Sequence, residues 1–448
     1  MKSSHSETGL LDRIVIENFR SLRRADIPLG SKLVVLVGDN ASGKTAILEA
    51  IAAALTPVMA ILSGLNRKPA TLDFQEFHRL PQLDEDGISA VERQVRLKAW
   101  TVDGPSWDLT FTLEDVRSLR VKAHRDPQDL EAVAQRFVRG DELPLIAYYG
   151  VARGYRLNDR HAARRYSTQH PFDSDRRAGY VDSLTARAVF DDVERWFEAY
   201  ESLELRRQRE AGPDARDPRL ETIRRAVSQV VPEADNLRVI GLPPRLHADF
   251  RNRTESQTLP ISSLSAGYLS LITIVMDMAR RMAELNPDLP DPLHARGIVL
   301  IDEIDLHLHP RWQQEVVTAL ERTFPRIQFI LTTHSPQVIT TVDAENIRIL
   351  TWREGEITVS PSGSMEGARS GRALGEVFGV EERPPASISP FVEALDLYRA
   401  EVQAGRWDGA RAMTALQNLH KISPDDPELN AIAVERRRLS AVQDAAKS

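Results

Sequence analysis

Val34-Val35-Leu36-Val37-Gly38-Asp39-Asn40-Ala41-Ser42-Gly43-Lys44-Thr45 runs directly into Ala46-Ile47-Leu48-Glu49-Ala50-Ile51. A β-branched apolar run becomes a glycine-bracketed loop, and the loop opens an apolar-periodic helix. Gly38-x4-Gly43-Lys44-Thr45 is the phosphate-binding loop pattern in its strand–loop–helix context. The residue types follow from the chemistry. Glycines let the backbone N–H groups of Asn40, Ala41, Ser42 and Gly43 close around a polyphosphate, and the helix N-terminus adds partial positive charge. Lys44 reaches the β- and γ-phosphates, and the Thr45 hydroxyl is a Mg²⁺ ligand.

A chain of 448 residues has room for about two or three domains and a large core. Apolar residues make up 42% and charged residues 27%, which reads as soluble and globular. No apolar run is expected to reach the length of a membrane span, and Met1–Ser6 shows no signal-peptide core. The absence of cysteine excludes disulfides, cysteine–zinc sites and thiol catalysis, and fits a cytoplasmic chain. A formal charge of −7 leaves only a local basic patch for nucleic acid.

Upstream of the loop, Leu11–Phe19 alternates as a strand and a second strand falls near Ile27–Leu29. The loop's helix is expected to run to about Leu55, with a break before Pro57–Ile61. Downstream, Val91–Thr101 and Trp107–Leu113 alternate with period two, an antiparallel layer. Leu143–Tyr149 is a short buried strand ending at Gly150. The segment Arg153–Arg177 carries seven arginines (153, 156, 160, 164, 165, 176 and 177) with Tyr155 and Tyr166. It reads either as a nucleic-acid or nucleotide patch or as a solvated loop paired with Asp159, Asp173 and Asp175. Ser183–Arg209 and Leu220–Val231 read as a helical insertion too short for a coiled-coil arm. Leu237–Ile240 and His247–Phe250 are expected to return to the main sheet.

Ser265-Ala266-Gly267 precedes an apolar helix, Tyr268 to about Leu285, a second anion-grade helix start. Gly297–Ile301 is a buried strand ending in Asp302-Glu303. Burying ionised carboxylates is expensive. Magnesium and an attacking water supply the reason: Asp302 holds Mg²⁺ through its water shell, and Glu303 orients or deprotonates the water. His307 and His309 form no expected metal pair, because Pro310 opens the next helix at its first position. Ile327–Thr333 is another buried strand, with His334 at its tip as a γ-phosphate sensor or a structural histidine.

The ordered set of Gly38–Thr45, Leu264–Gly267, Leu300–Glu303, Asp305 and His334 resembles an ABC-type ATPase head of the RecF/SMC/OLD group. Ile16–Arg20 and Asp302–Pro310 resemble the bacterial AAA-type subgroup of antiphage defence, with the PtuA family of Septu ATPase subunits the nearest that can be named. The resemblance covers roughly residues 10 to 350. It implies an α/β fold, a mixed sheet flanked by helices with an antiparallel β layer, to which the residue pattern adds a helical insertion and an α-helical C-terminal module. The corresponding divisions are 1–180 and 236–360 for the head, 181–235 for the insertion, 361–388 for a linker and 389–448 for the module.

The resemblance further implies a homodimer or higher oligomer, joined head to tail. ATP on one subunit's loop is capped by Ser265 and Gly267 of the other, Asp305 cross-talks between subunits, and His334 reads the γ-phosphate. Gln75 is the expected glutamine linking Mg²⁺ to the regulatory layer, and an HNH-type nuclease is the implied effector. Ala41 stands where this group often has glycine, at little cost if its φ is negative. Three other outputs stay open: a RecF-like DNA-repair ATPase, a transporter subunit, and a non-hydrolysing nucleotide-switched scaffold. Transporter subunits have a much shorter segment between loop and signature. An OLD-type nuclease needs a Toprim acid set, and after His334 only Asp425-Asp426 offers paired acids, in a proline-rich turn. Short amphipathic helices in 389–448 read as a docking module or a simple cap.

Overall fold

The computed structural model describes residues 10–64, 79–83, 89–102, 104–115, 120–151, 175–186, 188, 190–251, 256–353, 356–361, 375, 378, 387 and 389–447. They fall into two units, within 1–370 and 371–448.

The first unit is built on one 11-stranded sheet. Its strands in chain order are β1 (Leu11–Phe19), β2 (Leu22–Pro28), β3 (Leu33–Val37), then, after the separate pair β4 (Arg79–Leu83) and β5 (Ser89–Val91), β6 (Gln94–Thr101), β7 (Ser106–Asp115), β8 (Arg120–Arg125) and β9 (Leu145–Tyr149). Three strands, β10 (Ala234–Ile240), β11 (Arg245–Arg251) and β12 (Ser256–Pro260), make a sheet of their own. The main sheet resumes with β13 (Gly297–Ile301), β14 (Ile327–Thr333), β15 (Ile347–Arg353) and β16 (Glu356–Pro361). The spatial order is β8-β7-β6-β1-β2-β16-β15-β3-β14-β13-β9.

The sheet has two characters. From β8 to β2 every pairing is antiparallel. From β15 to β9 every pairing is parallel. The parallel strands are buried on both faces, so β3, β9, β13 and β14 read as continuous runs of buried residues. The antiparallel strands alternate buried and exposed, as a sheet with one wet face must. The expected antiparallel layer is therefore continuous with the core sheet. In the parallel half Val37, Thr333, Ile301 and Tyr149 end their strands side by side. Ligand sites of α/β sheets sit outside such carboxyl ends.

The helices of this unit are α1 (Lys44–Ser63), α2 (Pro127–Phe137), α3 (Phe190–Ala211), α4 (Pro218–Val230), α5 (Ala266–Leu285), α6 (Pro310–Thr323) and the single turn α7 (Pro336–Ile339). Helix α1 does not break at Pro57 as expected. Burial of Ala50, Ile51, Ala54, Leu55 and Val58 outweighs the lost backbone bond. Two carbonyls near the proline gain side-chain donors: Thr56 Oγ1 to Ala52 O at 2.8 Å and Trp107 Nε1 to Ala54 O at 2.9 Å. Contrary to the expectation from sequence, α1 is also long and apolar enough to cross a membrane by length and composition. Its apolar window is 67% buried inside the protein, as befits the central helix of a core.

Two further expectations are corrected. Helix α3 starts at Phe190, not Ser183, because 182–186 is a turn with Asp182 and Ala186 at positive φ. The strands read at Leu237 and His247 do not rejoin the main sheet; they pair with each other, and the second of them also with β12. Buried carboxylates of α3 take over their unpaired N–H groups. Glu201 accepts from Val239 N at 2.7 Å and Glu194 from Leu246 N at 2.9 Å. Strand signals from sequence carry no information about which sheet a strand joins.

The second unit holds α8 (Pro390–Gln403), α9 (Ala410–Ile422) and α10 (Pro427–Lys447). Ser389 caps α8 by accepting from Val392 N, and Gly405 takes the left-handed conformation beyond its end. Leu395, Tyr398, Val402, Ala415, Leu419 and Ile432 form its core.

Candidate nucleotide site

The phosphate loop links β3 to α1. Gly38 has φ 157°, and a Cβ there would lie 2.6 Å from Leu350 O and 2.9 Å from Ser42 Oγ. Gly43 has φ 86°, and its Cβ would meet Leu22 Cδ2 at 2.6 Å. Both glycines are demanded by close approach as well as by conformation. Ala41 adopts φ 64°, so the condition under which alanine is cheap is not met, and the loop carries left-handed strain there. Lys44 is 5% exposed and donates to Gly38 O and Asp39 O at 2.8 Å and to Ser42 Oγ at 3.3 Å. Burial pushes its pKa down, while Asp302, Glu303, Asp39 and Asp305 pull it up. An ammonium folded onto its own loop, under glycines with no room for a side chain, fits a polyphosphate.

Asp302, at the end of β13, is 1% exposed. Its two oxygens are held from two directions: Thr45 Oγ1 donates to Oδ2 at 2.8 Å and Thr332 Oγ1 donates to Oδ1 at 2.6 Å. A hydroxyl and a carboxylate in contact at the loop are the hard-oxygen donor set that Mg²⁺ takes beside a substrate phosphate. Glu303 follows at φ 46°, its N–H donating to Thr332 Oγ1 at 2.7 Å. A non-glycine residue in that region is strained, and the two bonds of Thr332 fix the acid pair in place. Thr332 was missed in the sequence; it sits inside an apolar strand 30 positions from its partner, and no spacing rule reports that.

Asp305 accepts from Thr333 Oγ1 at 2.5 Å and from His334 N at 3.3 Å. Gln313 on α6 donates to Leu308 O at 3.0 Å and accepts from Ser335 Oγ at 2.8 Å, so the turn after Glu303 is laced to the tip of β14. His309 Nδ1 accepts from Arg311 N at 3.3 Å, acting as the cap of α6. His334 is half-buried, and burial, then the charge of Lys44, lowers its pKa below 6.5. Its ring is therefore neutral near pH 7.

Ser265 stands at the N-cap of α5, exposed, with no side-chain bond to its own helix. The cause of glycine at 267 is steric: a Cβ would lie 2.3 Å from His307 O. Helix α5 thus packs directly on the turn that follows Asp305.

The structure brings Gly38–Thr45, Asp302, Glu303, Asp305 and His334 to the carboxyl ends of the neighbouring strands β3, β13 and β14. Gln75, and with it Asp73–Phe77, lies outside the described residues, as do Arg153–Arg165, Tyr155, Tyr166, Asp159, Asp173 and most of the 361–388 linker. Of the arginine-rich segment, Arg176 Nη1 donates to Asp141 O at 2.6 Å, and the Arg177 guanidinium lies against Gly64. Asp175 caps the turn by accepting from Arg177 N at 2.9 Å.

A phosphate loop after β3, an acid pair after β13 and a histidine after the intervening β14, in a half-parallel sheet with an antiparallel extension, define an ABC-type P-loop ATPase head. Residues 33–340 match the family described as "AAA domain, putative AbiEii toxin, Type IV TA system", and the chain belongs to that family. It is 28% identical over 437 residues to the Retron Vc95 probable ATPase of Vibrio cholerae serotype O1 biovar El Tor, covering 86% of this chain and 82% of that one. It is 28% identical over 481 residues to the Retron Ec83 probable ATPase of Escherichia coli, covering 94% and 85%. A shorter match of 47% over 76 residues joins it to the Septu protein PtuA of Bacillus mycoides, covering 17% and 10%.

Proposed function

We propose that this chain is a cytoplasmic ATPase of antiphage defence. It closes head to tail as a homodimer on ATP and through that state controls a partner effector, a nuclease. The retron and Septu relatives support the defence setting. The observation that carries the dimer is the division of the site. Lys44, Thr45, Asp302, Glu303 and His334 lie together at the ends of neighbouring strands, which supports their holding one side of a nucleotide. Ser265, at the start of α5, leaves its own helix uncapped by its side chain and presents a hydroxyl to solvent. A helix start of that kind binds anions, and in a head-to-tail pair it meets the partner's γ-phosphate.

Within one subunit, Lys44 exchanges the carbonyls of Gly38 and Asp39 for phosphate oxygens. Thr45 and Asp302 would hold Mg²⁺, which supplies charge neutralisation at the phosphates when bound. Glu303 takes a proton from the attacking water, and its fixed N–H keeps the carboxylate aimed. The neutral His334 ring donates one N–H toward the terminal phosphate without adding a buried charge.

Light scattering of the Lys44→Ala and Ser265→Arg proteins, with and without ATP, tests the reading. Lys44→Ala should lose nucleotide binding. Ser265→Arg should keep it and stay monomeric at concentrations where the wild type dimerises. An ATP-dependent dimer of Ser265→Arg equal to wild type would remove the head-to-tail arrangement.

A further inference from the structure

Helix α5 carries Ser265 and Gly267 at its start and a buried charged cluster in its second half. Asp277 is 3% exposed and Arg281 5% exposed. Arg281 Nε donates to Asp277 Oδ2 at 2.6 Å, and Arg280 Nη2 to Oδ1 at 2.7 Å. The Tyr149 hydroxyl, on a side chain 1% exposed, donates to the same Oδ2 at 2.9 Å. Tyr149 is the last residue of β9, and its carbonyl accepts from Asp302 N at 2.8 Å. Arg281 Nη1 also donates to Gly179 O and Val181 O, both at 2.8 Å. That segment returns along the free edge of β9, where Tyr148 N donates to Ser183 O at 2.7 Å and Gly150 N to Ala186 O at 2.9 Å.

We propose that Tyr149, Asp277 and Arg281 are positioning residues for hydrolysis, coupling the signature end of α5 to the placement of Asp302. The inference rests on the nucleotide roles assigned above to Ser265 and Asp302. The reasoning is mechanical. Asp277 lies twelve residue steps along the chain from Ser265, about 18 Å of stiff rod. Capture of a partner's phosphate at one end shifts the rod, and the buried carboxylate at the other end carries the Tyr149 hydroxyl with it. The Tyr149 carbonyl is the next link, and Asp302 the last.

A purely structural contact between α5 and β9 would be served by apolar side chains. Buried ionic groups are best attested where they fix register or serve a switch. Here the cluster bonds to the end of β9, which lies beside Asp302, and to the segment that covers the other side of β9, so the register it fixes is that of the strand next to the acid pair. A shared two-state element is what coupling between sites requires, and α5 is the element both sites touch.

Tyr149→Phe removes only the hydroxyl and tests the proposal with ATP turnover, equilibrium nucleotide binding and thermal melting. The expected result is a fall in kcat of about fivefold at protein concentrations that favour the dimer, with nucleotide affinity within about twofold of wild type. Wild-type kcat per folded molecule, with only a lowered melting temperature, would overturn it. Arg281→Lys keeps a charge beside Asp277 and loses the fork to Gly179 and Val181; it should repeat the loss of kcat, and wild-type turnover there also overturns the proposal. Glu303→Gln in the same assay separates the two levels. If Glu303→Gln turns over ATP normally, the site assignment itself fails. If it is inactive while Tyr149→Phe is normal, only the coupling fails.

Discussion

Thr45 and Asp302, 257 positions apart, meet in a 2.8 Å hydrogen bond from the threonine hydroxyl to the carboxylate. It ties the first turn of α1 to the tip of β13 across β14. Thr332, on that intervening strand, holds the other oxygen of Asp302 and the N–H of Glu303. The acid pair is therefore prearranged by its own chain, which lowers what nucleotide binding must organise.

Thr332→Val keeps the shape of the side chain and deletes the hydroxyl. It removes one hydrogen bond to the buried Asp302 carboxylate and one from the Glu303 N–H. The expected cost is about 1–3 kcal/mol in urea unfolding, with a fall in kcat because Glu303 loses its anchor. Wild-type stability and turnover would show that Thr332 only fills space.

Ala41 at φ 64° should be improved by glycine. Relief of left-handed strain outweighs the added freedom of the unfolded chain, so Ala41→Gly should gain about 0.5–1 kcal/mol in urea unfolding. A loss of stability would mean the methyl group makes packing worth more than the strain.

His334 predicts an acid-side effect. Its folded pKa is depressed below 6.5, first by burial and then by Lys44, with Asp305, Glu303 and Asp302 opposing. Above the unfolded pKa both states are neutral and stability is full. As pH falls through 6.5 toward the folded pKa, the unfolded chain takes up a proton that the native ring refuses, and stability drops. Urea midpoints at about pH 7.5 and about pH 5.5 should therefore differ less in His334→Gln than in wild type. An unchanged difference would place the acid sensitivity elsewhere.

The sequence shows the site wherever chemistry is local in the chain. Gly38, Gly43, Lys44 and Thr45 are contiguous, and Asp302-Glu303 ends a strand whose burial is visible as an apolar run. The ATPase class followed from those residues, and the family match agrees with it. What could not be read was set by distant partners. Thr332 looks like one more β-branched strand residue until β13 lies beside β14. The sign of φ at Ala41 depends on how the loop closes as a whole, and Gly267 looks like a helix-start glycine until His307 O is seen against it. The continuity of α1 through Pro57 and the separate β10-β11-β12 sheet were decided by burial and by carboxylates on α3, neither of which leaves a local pattern.

The most direct test of the account is Glu303→Gln. The amide keeps size and position and removes the base. The account predicts that this protein binds ATP, stops turning it over, and accumulates as a dimer in light scattering when ATP is present, reverting to monomer with ADP. Wild-type ATP turnover by Glu303→Gln, or an inactive protein that remains monomeric with saturating ATP, would contradict the central claim that Glu303 drives hydrolysis in a nucleotide-closed dimer.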